Sequence, residues 1–79
     1  MNATTLDTVR TGLATVAKKV HLDGTFRTTD RDNHVVVEFR TDYGGVRDIN
    51  SALIYAMDEL KKLGLKADLA YKALLVSEA

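Results

Sequence analysis

The chain has no cysteine, no proline and no net charge, and these absences narrow its class before any residue is placed. Without cysteine there is no disulfide framework, no thiolate zinc site and no cysteine nucleophile. Lysine plus arginine and aspartate plus glutamate each number 11, so the formal charge is zero. A domain of this size that gripped polyanions unselectively would be visibly basic. No run approaches the roughly 20 apolar residues of a membrane helix. The segment Met1-Asn2-Ala3-Thr4-Thr5-Leu6-Asp7 has neither the basic nor the apolar region of a secretory leader, so a cytoplasmic location is expected. With no low-complexity tract and no solenoid repeat either, nothing reads as a linker.

What is present is the composition of a globular domain. The hydrophobic fraction is 46% and the charged fraction 28%, near the soluble average and against disorder. At 79 residues the chain has room for one domain, residues 1–79.

Leu6, Val9, Leu13, Val16, Ala17 and Val20 recur in steps of three and four and predict a first helix. Thr4 or Thr5 can cap it, Asp7 suits its positive end, and Lys18 and Lys19 suit the other. Gly12 falls beside the stripe, where a close approach by another backbone would explain it. A hairpin follows, because His21–Thr29 and His34–Asp42 both alternate around Asp30-Arg31-Asp32-Asn33, a run of turn formers. With those four as the loop, Thr28 faces Val35, Phe26 faces Val37, and Gly24 faces Phe39. On the other face Arg27 meets Val36, Thr25 meets Glu38, Asp23 meets Arg40 and His21 meets Asp42. Opposite charges then pair on one face while apolar groups pair on the other.

After Tyr43-Gly44-Gly45, a second helix is signalled by Ile49, Leu53, Ala56, Met57, Leu60 and Leu63. Asp48, Asn50 or Ser51 can cap it, and Gly64 suits the position just past its end. Asp58 and Glu59 are both placed to pair with Lys62. The tail is rich in helix formers, yet Leu65, Ala67, Leu69, Tyr71, Ala73 and Leu75 alternate, and the alternation predicts a strand. The expectation is an α+β domain: a two-layer sandwich in the order α-β-β-α-β, with two helices on one face of a small, mainly antiparallel sheet. The apolar Leu74-Leu75-Val76, read as part of an edge strand, suggests a homodimer.

Four groups of residues could carry chemistry. His21 beside Asp42 could orient a base, but the serines, Ser51 and Ser77, lie elsewhere, so an edge pair is the better reading. Asp30-Arg31-Asp32-Asn33-His34 offers ligand atoms without the glycine and distal glutamate of a calcium loop; turn formation explains it. Tyr43-Gly44-Gly45 before a helix start could hold an anion, but Asp48 opposes that. Lys18, Lys19, Lys61 and Lys62 could make a small basic patch, and a nucleic-acid-binding accessory is the alternative reading. The polar sheet face has no aromatic ring on which bases could stack.

Four of the five arginines, Arg27, Arg31, Arg40 and Arg47, fall in the middle third of the chain, interleaved with acids that include Glu38. Arginine is favoured at protein interfaces because its planar fork makes bidentate contacts. Arg27, Arg31, Glu38, Arg40 and Arg47 are therefore the expected partner-binding residues. The implied function is a non-catalytic module binding a larger protein: an adaptor, subunit or inhibitor, of the kind mobile elements or phages encode. No catalytic residue, metal or cofactor is expected.

Overall fold

The computed structural model describes residues 2–42 and 45–79, with the side chains of Val46 and Arg47 set aside. The architecture is the α+β sandwich, in the order α1 (Ala3–Val20), β1 (Thr25–Asp30), β2 (Val35–Arg40), α2 (Val46–Lys62), β3 (Leu65–Ala70) and β4 (Ala73–Glu78). The sheet has four strands in the order β1-β2-β4-β3, with all neighbours antiparallel. It reads the same from either edge: two αββ units join through their inner strands. Among the described residues, no helix is long and apolar enough to cross a membrane.

The tail corrects the single last strand. Its alternation holds through Leu65, Ala67 and Leu69, then the chain turns at Tyr71 and Lys72 and returns as β4. Lys72 accommodates the turn with a positive φ of 55°, a conformation that side chains other than glycine and asparagine seldom adopt. Leu74 and Val76 then face the core and are fully buried on an inner strand. They are not edge residues, and the reason given above for self-association falls with that placement.

The hairpin keeps its faces but not its predicted pairs. Arg31 N–H donates to His34 C=O at 2.8 Å, so pairing runs on past Asp30 toward a tighter loop. Phe26 faces Phe39, Thr28 faces Val37, Arg27 faces Glu38 and Thr25 faces Arg40. Each is two residues from the expected partner, and a slip of two leaves every side chain on its original face. The Phe26 and Phe39 rings meet edge-to-face, with centroids 5.1 Å apart. Gly24 still lies under the Phe39 ring: a Cβ there would sit 2.6 Å from Cζ and against the Arg40 carbonyl oxygen.

The helix ends also differ in detail. Asn2, not Thr4 or Thr5, caps α1, its side chain accepting from Thr5 N–H at 2.8 Å. Asp7 therefore lies beyond the first turn. His21 is the C-cap of α1 in the left-handed region, φ 50°, and so is not a strand residue facing Asp42. In α2, Gly45 is the N-cap, and Asp48 caps from inside the first turn by accepting Gly45 N–H at 3.2 Å. Tyr43 and Gly44 of the expected turn lie outside the described residues. Glu59 pairs with Lys19 of α1 at 3.5 Å rather than with Lys62. Gly64 follows the helix with φ 88°, as expected of that position.

The core lies between the layers. It holds Val9 and Leu13 of α1, Ala52, Leu53, Ala56 and Leu60 of α2, and Val35, Val37, Phe39, Ala67, Leu74 and Val76 of the sheet. α2 lies over β2, β3 and β4, whereas α1 rests on α2 and β1. At Gly12 it is side chains and not another backbone that come close: a Cβ there would be 2.8 Å from Leu60 Cδ2 and 3.0 Å from Leu63 Cδ1. Ala17 and Leu63 of the predicted stripes are exposed.

Candidate functional site

In a two-layer domain the sheet face turned from the helices is open to solvent. Strand alternation assigns it here: Val35, Val37 and Phe39 are buried against the helices, so Val36, Glu38 and Arg40 point the other way. Ladder pairing extends the face to Thr25, Arg27 and Thr29 of β1, Ala73, Leu75 and Ser77 of β4, and Lys66, Asp68 and Ala70 of β3.

Three of the five expected binding residues meet on this face. Arg27 and Glu38 are directly opposite on β1 and β2, and Arg40 follows two residues along β2. All three are exposed and make no ion pair with another described residue. Arg31 lies in the hairpin loop at the end of β1, continuing the same hairpin. Arg47 has its backbone in the first turn of α2, and its side chain lies outside what the structure describes.

The sequence reading missed the apolar centre of the face. Val36 and Leu75 are directly opposed on the two inner strands; Val36 is half-buried and Leu75 is 38% exposed. The signal was present in the alternation of Leu74, Leu75 and Val76, but it requires β4 to be an inner strand. The face therefore has a small apolar centre with Arg27, Glu38 and Arg40 to one side and Lys66 and Asp68 to the other. Tyr71, 81% exposed, stands at the tip of the second hairpin.

A second concavity lies between α1 and β1, an open groove of about 390 Å³ lined by Leu13, Ala14, Ala17, Leu22, Phe26 and Phe39, with Arg10 among its walls. Small alanines on that flank of α1 leave the space unfilled. His34 is half-buried, with Nδ1 2.8 Å from Asn33 Oδ1 in the hairpin loop. No three potential metal ligands are grouped among the described residues. No family model matches the chain, and no curated protein or solved structure is detectably similar to it.

Proposed function

We propose that the chain is a small non-catalytic module that binds a larger protein, as an adaptor, subunit or inhibitor, through the open face of its first hairpin. The reading is carried by one arrangement: Arg27, Glu38 and Arg40 exposed on adjacent strands beside the apolar pair Val36 and Leu75. Strands hold these side chains at fixed spacings, which lowers the ordering cost of a contact. The apolar pair supplies a patch that a partner can dry, and a guanidinium desolvated with such a patch is a frequent energetic centre. Acids among the arginines favour a partner of matching mixed charge over a phosphate backbone. Arg31 extends the surface around the loop.

Capture of the partner from the native host, identified by mass spectrometry, gives the ligand for titration. Arg27→Ala and Arg40→Ala should each weaken that complex about thirtyfold, as expected of central interface arginines. Both should change unfolding stability by less than about 0.5 kcal/mol. Unchanged affinity in both variants sinks the reading. A salt-dependent shift with DNA or RNA would favour the nucleic-acid alternative instead.

A further inference from the structure

We infer that the free edge of β3 pairs antiparallel with β3 of a second copy of this chain, joining two sheets into one of eight strands. This goes beyond the binding face proposed above and does not depend on it. β3 ends the sheet, so among the described residues one side of its backbone has no strand partner. Such an edge recruits another strand unless its side chains prevent it.

The sequence of this edge is complementary to itself. Antiparallel pairing about a two-fold axis perpendicular to the sheet keeps every side chain on its own face. With the axis at Ala67, Lys66 of each copy lies opposite Asp68 of the other on the open face. On the helical face, Leu65 of each lies opposite Leu69 of the other. Lys66 and Asp68 are exposed and make no ion pair with described residues, and Leu69 is 41% exposed. Ala67 puts the smallest side chain at the axis. Sliding by two residues either way sets Lys66 against Lys66 or Asp68 against Asp68, so charge selects one register.

The layer above continues the match. α2 lies over β3, and its contacts to α1 run through Leu60, Leu63 and Glu59. Helical spacing puts Ile54 and Met57 on the opposite flank, above the β3 edge. Ile54 is 43% exposed and Met57 half-buried, so two copies of α2 would meet there through apolar side chains.

The other edge does not fit itself. With the axis at Thr28, Phe26 would face Asp30. With it at Arg27 or Thr29, arginine would face arginine.

The mass of the full chain, measured by light scattering and sedimentation from low micromolar to submillimolar concentration, tests the pairing. The wild type should rise from 8.7 kDa to twice that mass. Asp68→Lys places lysine against lysine twice and should weaken the dimer about tenfold or more. The double variant Lys66→Asp/Asp68→Lys restores opposite charges and should restore the dimer, while circular dichroism reports that all three chains are folded. Arg27→Ala should leave the mass curve unchanged, which separates this surface from the proposed binding face. A wild type that stays at 8.7 kDa throughout overturns the inference. So does an Asp68→Lys chain that associates like wild type, or a charge swap that fails to regain it.

Discussion

In the first half of the molecule, α1–β1–β2, the edge strand holds no fully buried side chain: Phe26, Thr28 and Thr29 are half-buried and the rest exposed. α1 leaves an open groove above it. In the second half, α2–β3–β4, the helix contributes Ala52, Leu53, Ala56 and Leu60 at zero exposure, and lies across three strands. The same inward spacing serves both helices: Val9, Gly12, Leu13 and Val16 in α1, and half-buried Ile49 with buried Ala52, Leu53 and Ala56 in α2. The plan is therefore shared, but the load is not. Stability is concentrated in α2 and the inner strands, and Arg27 and Arg40 sit on the hairpin whose outer strand contributes least to the core.

The comparison breaks most visibly at Leu60. Leu60→Ala empties a fully buried site between the helices and should cost about 3 kcal/mol, read as a fall in the thermal midpoint of roughly 12 °C or more. Phe26→Leu in the first half should cost only about 1 kcal/mol, because the ring is half-buried and loses mainly its edge-to-face contact. Equal costs would show that the load is evenly shared. Next in size is Gly24→Ala, expected to destabilise by about 2 kcal/mol in urea unfolding, since the new methyl meets a backbone carbonyl that cannot rotate aside. A neutral result would mean that the start of β1 is free to shift. Gly64→Ala should likewise cost about 1 kcal/mol, arising from the left-handed backbone because nothing beyond the adjoining residues lies within 4 Å of the added Cβ.

The faces of the first hairpin were legible because a period of two leaves Phe26, Val35, Val37 and Phe39 only one side to share. Its register was not, because a slip of two residues preserves that pattern and only the loop decides between them. Opposite charges looked paired in both registers: Asp23 with Arg40 in one, Arg27 with Glu38 in the other. The second hairpin was half legible. Alternation revealed strand, but Ala70-Tyr71-Lys72-Ala73 contains none of the usual turn residues, so nothing announced the reversal. That one turn moves Leu74 and Val76 from an edge to the centre and leaves Leu75 on the open face. Of the candidate binding residues, Arg27, Glu38 and Arg40 were correctly grouped by alternation. Arg47 was grouped with them by nearness in sequence, and its side chain lies outside what the structure describes.

The strand order also sets what must happen when the chain folds. Each hairpin closes between neighbours in sequence, an event of about 1–10 μs for an isolated hairpin. Among the described residues, only one ladder joins distant parts of the chain, through Val35 with Val76, Val36 with Leu75 and Val37 with Leu74. Bringing those valines and leucines together requires the intervening chain, α2 included, to be spanned before any contact rewards it. The three pairs at the middle of the sheet are therefore where the time of folding is decided, and a methyl removed from Val37 should slow refolding more than one removed from Thr28 across from it.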